Sequence, residues 1–543
     1  MSEEILKLKK EIERLRKAVK KQRYGLVWMD VPEAFEDDVE NKLPILKEVS
    51  RLAIKNSDGK PTHILIEGDN YHALSCLNYT HKGKIDVIYI DPPYNTGSDG
   101  FKYKDKRILD KYPDGTEVPK DHPFRHSYWL SFMSKRLELA KDILKESGAI
   151  FISIDDNEFA QLKLLCDEIF NPLNFVNIIV WKKTNSPKAQ ANQLGNQHEF
   201  VLVYAKNIEK LSLNKFVGGV DEKYKKSFTY DDNDGRGPYQ TVAIIAGGTQ
   251  RSERRKSFDF HGVVEQWLYK KETLEKWWQE NRIYKTKNGQ YRLKKYLSET
   301  EGRMLSDIWI DEEIKALQGG SEEYIGFTTQ KPLSLIKRIF KLSSDKNSII
   351  LDFFAGSGTT GEAVINLNKD DEGSRQFILV TNNDEVVNGT KHKIMSDVCY
   401  PRIKKISKNL KNGVKFYRTS FIGKNNILNA TDQDKIELAH NAGELLAIAE
   451  NTLELAKQNK FYQLFENSEK QKYTAVYFRE ELDKFDEFSE IVRKFKKPTT
   501  IYIFSWGDEE FCDDFTDLKQ VKVKTIPVPI LEIYKQIYNL STE

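Results

Sequence analysis

The segment KIDVIYIDPPY, residues 84–94, carries an apolar run, Val87-Ile88-Tyr89-Ile90, that stops at Asp91-Pro92-Pro93-Tyr94. A short run without polar alternation fits a strand buried on both faces. The two prolines end it, because each fixes φ and lacks an N–H. Similar runs flank it: HILIEG (63–68), GAIFISIDD (148–156), NIIVWKK (177–183), HEFVLVYAK (198–206), SIILDFF (348–354) and RQFILVTNND (375–384). Between them lie segments of helical periodicity, such as residues 128–147. Strands alternating with helices predict an α/β fold built on a doubly wound, mostly parallel sheet.

In such sheets ligands bind beyond the carboxyl ends of the strands, where Asp91-Pro92-Pro93-Tyr94 falls. This tetrad suits an exocyclic amine on a nucleobase, a poor nucleophile whose lone pair is delocalised into the ring. Two acceptors on its N–H bonds draw the nitrogen toward tetrahedral geometry and aim the lone pair. Asp91 supplies a carboxylate and Pro92 a backbone carbonyl, stiffened by the neighbouring rings. Tyr94 offers a face for a base flipped out of a duplex, a stacking contribution of about 1–3 kcal/mol. A plain proline turn after a strand is the competing reading.

A second constellation runs Asp352-Phe353-Phe354-Ala355-Gly356-Ser357-Gly358-Thr359-Thr360-Gly361, between a strand and a helix. Glycines let the backbone approach a ligand, and a helix N-terminus presents free N–H groups. Gly356, Gly358 and Gly361 also satisfy a dinucleotide-binding spacing, but Thr381 and Asn382 stand where the ribose-binding acid belongs. Asp384 is the nearest substitute. No lysine follows the glycines, which excludes a P-loop. The two threonines suit a carboxylate, such as that of the methionine half of S-adenosylmethionine.

The chain has 543 residues, enough for several domains, and a formal net charge of +3 that leaves local charge to decide on a nucleic-acid partner. Apolar residues at Ile5, Leu8, Ile12, Leu15 and Val19 form a helical seam over residues 1–23, a coiled coil or a solvated helix. No run approaches the roughly 20 apolar residues of a membrane span, and the N-terminus lacks an apolar signal core. Four scattered cysteines without CxxC spacing point to the cytoplasm and against a zinc site or any other metal centre. From 183 to 325 the periodicity weakens and basic and aromatic residues interleave, which predicts an inserted domain between 24–182 and 326–415. Within it RSERRK supplies candidate phosphate contacts in Arg251, Arg254, Arg255 and Lys256. His198 reads as structural. Residues 416–543 predict a further α/β domain.

The pair DPPY and FxGxG resembles the amino-methyltransferase family of DNA-modifying enzymes. Its order, with DPPY first and some 250 residues between the motifs, is similar to the circularly permuted β class, whose target-recognition domain lies between them. The resemblance implies that Asp91, Pro92, Pro93 and Tyr94 are catalytic. It implies that Asp352 through Thr360 cradle S-adenosylmethionine, joined by Lys331 and Pro332 of FTTQKP (327–332) and by Asp69 of EGDN (67–70). Asp69 also reads as a helix N-cap. YGLVWMDVPE, DPPYNTG with Phe101 and Tyr103, FISIDDNE, HEFVLVYAKN and LSDIWID resemble the Mod subunits of type III restriction–modification systems over residues 24–420. That implies adenine-N6 methylation of double-stranded DNA, a homodimer, and a Res partner with helicase and nuclease activity. Cytosine-N4 methylation, a solitary methyltransferase without a nuclease, a DNA-binding specificity subunit with an inactive site, and a dinucleotide-dependent oxidoreductase are the alternatives. Asp91 favours adenine, since the cytosine enzymes of the family more often carry serine at that position.

Overall fold

The computed structural model describes residues 26, 28, 43–55, 61–96, 117, 123–186, 194–215, 222–247, 250–251, 257–302, 304–310, 314, 317, 323–327, 329–383, 385–387, 390–422, 430–478, 484–505, 514–526 and 528–537. The helical seam over 1–23, Phe101, Tyr103 and Asp384 lie outside them.

Ten strands form one sheet: β1 (Leu43–Glu48), β2 (Thr62–Glu67), β3 (Ile85–Ile90), β4 (Leu144–Ile154), β5 (Phe175–Lys182), β6 (His198–Ala205), β7 (Ile308–Trp309), β8 (Ile349–Asp352), β9 (Gln376–Thr381) and β10 (Gly413–Ile422). Their order across the sheet is β1-β10-β2-β9-β8-β3-β4-β6-β5-β7. The six strands from β10 to β4 are parallel. Antiparallel pairing appears only toward the two edges. The apolar runs without alternation are the central strands, and in β3 every residue but Asp86 is buried.

Six helices connect or flank these strands: α1 (Asn70–His81), α2 (Ser127–Ile143), α3 (Phe159–Phe170), α4 (Leu333–Ser343), α5 (Thr359–Asp371) and α6 (Tyr400–Leu410). The crossovers β2-α1-β3 and β3-α2-β4 step one way across the sheet, whereas β8-α5-β9 and β9-α6-β10 step the other way. Right-handed crossovers in opposite directions put their helices on opposite faces. In agreement, α1, α2 and α3 pack in series, and so do α4, α5 and α6. β3 and β8 are neighbours whose connections leave in opposite directions, and a ligand crevice opens beyond such a pair.

Helical periodicity suggests a helix to residue 147, but α2 stops at Ile143 and residues 144–147 begin β4. Strand pairing wins there: Leu144 pairs with Ile85, and the Lys84 N–H donates to the Ile143 carbonyl. Beyond β10, five strands in sequential order, Glu454–Gln458, Tyr462–Glu466, Tyr473–Tyr477, Thr499–Phe504 and Val521–Ile526, make a second sheet. It belongs to the same compact unit as the main sheet. Val476, Tyr502 and Ile526 share a continuous core with Leu74 and Leu77 of α1.

Residues 214–306 form a second compact unit. It holds a three-stranded antiparallel sheet (Tyr239–Ala243, Ile283–Lys285, Tyr291–Tyr296), a hairpin (Phe258–Phe260 with Val263–Glu265) and the helix Lys271–Gln279. Ile244, Phe260, Trp267, Leu274 and Tyr291 are its core. Strand β6 stands in the main sheet, so this unit begins after it. Among the described residues no helix is long and apolar enough to cross a membrane.

At the end of β2, Gly68 has φ +153°, and a Cβ there would sit 1.9 Å from the Thr419 hydroxyl oxygen of β10. Gly68→Ala is expected to cost about 1–3 kcal/mol by overpacking. Thermal unfolding of the two proteins checks this; a second change, Thr419→Ser, which removes one methyl near the new Cβ, should recover only a small part, since the backbone strain and the hydroxyl contact remain.

Candidate active site

Asp91 is the first residue beyond β3, and Asp352 closes β8. Some 260 residues apart in sequence, they come together because Val87 and Ile88 pair with Ile350 and Leu351. A cavity of about 610 Å³ opens above the pair, within the usual range for small-molecule sites. Asp91, Pro92, Pro93 and Tyr94 line it from one side, and Asp352 through Ser357 with Thr359 and Thr360 from the other.

The DPPY segment is held from behind. Trp129 of α2, fully buried, donates its indole N–H to the Pro93 carbonyl at 2.7 Å. The Tyr94 hydroxyl donates to Asp91 Oδ1 at 2.7 Å and reaches Glu199 Oε2 at 3.3 Å. Asn95 follows in the left-handed region, φ 59°, and donates to the buried Glu158 at 2.5 Å. Burial, with Glu199 adding to it, holds the Asp91 carboxyl above its ordinary range, and the Lys331 ammonium, 2.8 Å from both its oxygens, limits that rise. Burial likewise raises the Tyr94 hydroxyl, reinforced by Asp91 and Glu199.

The glycine loop is built on its own hydrogen bonds. Asp352 accepts from the Phe354 N–H at 2.9 Å and the Thr360 hydroxyl at 2.6 Å. Gly356 and Gly358 have φ 46° and 76°, conformations that favour glycine. A Cβ on Gly358 would also meet Cys399 Sγ at 3.1 Å. Gly358 caps the N-terminus of α5. The Phe353 carbonyl accepts from Asn70 at 3.0 Å, and Arg402 donates to the Thr359 hydroxyl at 2.8 Å. Burial pushes Asp352 up to about 7, against the pull of its two donors.

Of the other residues named from the sequence, Asp69 lines the cavity and also caps α1, accepting from the Tyr71 N–H at 2.7 Å. Lys331 lines the cavity with its ammonium on Asp91, while Pro332 is the N-cap of α4. Thr381 and Asn382 line the same cavity. His198 packs edge-on to Phe200. Arg251 donates to the Ala246 carbonyl and pairs with Glu265 at 2.9 Å. Arg254, Arg255 and Lys256 lie outside the described residues. Sequence reasoning passed over Glu199, Lys183, Asp155 and Trp129. The signal for Glu199 was present, as a lone acid in the apolar strand HEFVLVYA.

The DNA methylase family profile matches residues 85–392, more than half of the chain. The chain is 35% identical over 357 residues to the type III restriction-modification enzyme StyLTI Mod subunit of Salmonella typhimurium, covering 62% of this chain and 54% of that protein. It is 33% identical over 382 residues to the EcoPI Mod subunit of Escherichia phage P1, covering 61% and 59%. It is 31% identical over 407 residues to the type II methyltransferase M.KpnI of Klebsiella pneumoniae, covering 67% and 91%. The chain thus spans somewhat more than half the length of these two Mod relatives.

Asp352, at about 7 in the folded chain, binds its proton more tightly there than when unfolded, where an aspartate titrates near ~3.9. Its contribution to stability is therefore full below about pH 4 and is lost as pH rises toward 7. Asp352→Asn removes this dependence. Relative to wild type, the variant should gain thermal stability between pH 5 and pH 7.5, and melting curves at the two pH values test that sign.

Proposed function

Given a chain that belongs to the DNA methylase family, we propose that it transfers the methyl group of S-adenosylmethionine to N6 of an adenine flipped out of double-stranded DNA, as the modification subunit of a type III restriction–modification system. The observation that carries this reading is the shared cavity: Asp91-Pro92-Pro93-Tyr94 on one wall and the glycine loop on the other, at the switch point of a parallel sheet. A nicotinamide enzyme would have no use for the first wall.

The second wall fits the cofactor. The left-handed glycines bring backbone close to the cavity, and Ser357, Thr359 and the N-terminus of α5 suit its carboxylate. Asp69 and the segment from Lys331 to Pro332 flank the same space. The bound cofactor supplies an electrophilic methyl on a sulfonium. The protein's task is to orient the nucleophile. Asp91 accepts one amine N–H, the Pro92 carbonyl accepts the other, and Tyr94 stacks on the base. With the cofactor bound, the nitrogen lone pair would be aimed at its methyl group, the N–C bond forming as the C–S bond breaks. The amine proton leaves afterwards, with Asp91 the nearest acceptor.

Asp91 favours adenine over cytosine N4. Within the span 183–325, the second unit, residues 214–306, would read the DNA sequence, with Arg251, Arg254, Arg255 and Lys256 along the phosphates. The Mod relatives are named as subunits of type III restriction-modification enzymes, which supports an assembly with a further subunit. In this reading that subunit is Res, and the assembly is cytoplasmic and holds a second copy of the chain. Residues 1–23 and 416–543 are the candidate segments for those contacts.

Purified protein incubated with unmethylated DNA and labelled cofactor, followed by nucleoside mass spectrometry, tests the reading. N6-methyladenine is expected. N4-methylcytosine would redirect the target, and no methylated base would overturn the proposal. Asp91→Ala should lower turnover by about 10²–10⁴-fold with cofactor binding kept. Unchanged turnover would remove Asp91 from the chemistry.

A further inference from the structure

Four charged side chains from separate parts of the chain meet at the floor of the cavity. Asp91 follows β3, Lys331 precedes α4, Glu199 lies in β6 and Lys183 follows β5. The Lys331 ammonium touches both Asp91 oxygens and stands 3.5 Å from Glu199 Oε2. Lys183 holds the other Glu199 oxygen at 3.0 Å. The side chains of Lys331, Asp91 and Glu199 are only 10%, 19% and 12% exposed. Two cations and two anions leave the cluster formally neutral.

This arrangement solves a problem that burial creates. A carboxylate in a dry pocket takes up a proton, and as an acid it loses acceptor capacity where an amine needs it. A cation alongside prevents this but competes for the same oxygens. Asp91 Oδ1 accepts from Lys331 and from Tyr94; among the described residues Oδ2 accepts only from Lys331. Glu199 lies near enough to draw the ammonium away.

We propose that Lys331 and Glu199 are positioning residues for methyl transfer: Lys331 keeps Asp91 an anion, and Glu199 shares that cation so that an Asp91 oxygen opens to the incoming amine. The link to methyl transfer rests on the function proposed above; the charge coupling rests on geometry alone. Among the described residues, the other titratable groups facing Asp91 are Tyr89, Tyr94 and Asp352, with Asp155 beyond Glu199. None is a cation, so Lys331 is the positive charge bound directly to Asp91.

Carbon-13 labelling of aspartate carboxyls in the full chain, with Asp91→Asn to identify the resonance, follows the Asp91 titration without cofactor or DNA. Lys331→Gln should raise its midpoint by about one pH unit or more. Glu199→Gln should lower it, because a like charge and a rival for Lys331 both disappear. Lys331→Arg, which keeps the charge, should stay near wild type and controls for lost packing. A midpoint unmoved by Lys331→Gln, or raised by Glu199→Gln, overturns the coupling. The pH dependence of methylation by the same proteins separates the two proposals. An acid limb that follows the midpoint supports both. A limb that stays put while the midpoint moves overturns the reaction role of Asp91, and with it of its two partners, and leaves the charge coupling standing.

Discussion

Two residue pairs, Ile350 with Val87 and Leu351 with Ile88, join strands drawn from distant parts of the chain, and the site exists only because they pair. Each strand alone ends in an unremarkable loop. Side by side and parallel, they deliver the tetrad Asp91-Pro92-Pro93-Tyr94 and the glycine loop to the same crevice. Their connections leave in opposite directions, so no crossover helix covers that end. The apolar character of β3 and β8 is therefore a requirement of function as well as of folding. A polar residue turned into either strand would separate the two walls.

The walls also depend on how buried polar groups find partners. Asn70 illustrates this: its amide donates to the Phe353 carbonyl of the glycine loop, while its carbonyl oxygen accepts from the fully buried Arg136 of α2. Arg136 reaches Asp69 as well, at 3.4 Å. The segment after β2 thus ties the loop after β8 to the helix after β3. On the far side, Arg402 of α6 bonds Thr359 and Glu362, securing the first turn of α5. A polar group left unbonded at such depth costs about 1–3 kcal/mol, so these links hold the cavity's shape in the absence of a ligand.

What could be read in the sequence follows from where backbone constraint lies. Asp91-Pro92-Pro93-Tyr94 announces itself by prolines that end an apolar run, and the glycine loop by Gly356 and Gly358, whose left-handed backbone favours glycine. The parallel sheet was legible because strands buried on both faces cannot alternate. Glu199, Lys183 and Trp129 were not assigned to the site, since their roles depend on which strands lie side by side, and local pattern does not carry that. Lys331 was named for a resemblance and stands on Asp91, a contact 240 residues away in sequence. The end of α2 was misjudged because residues 144–147 suit a helix until Ile85 offers a partner. Residues 214–306 were legible only as a change of composition, since short strands and scattered aromatics have no single period.

The second unit leaves the sheet after β6 and returns at β7, and these two strands flank β5 at one edge. Both ends of the excursion are thus anchored outside the six parallel strands, two of which carry Asp91 and the glycine loop. In genetic terms the segment is a cassette. A recombination event with one crossover on either side could replace it with an unrelated sequence and leave the central strand register inherited intact. Lineages carrying this architecture can therefore diverge quickly in that segment while the cavity descends unchanged.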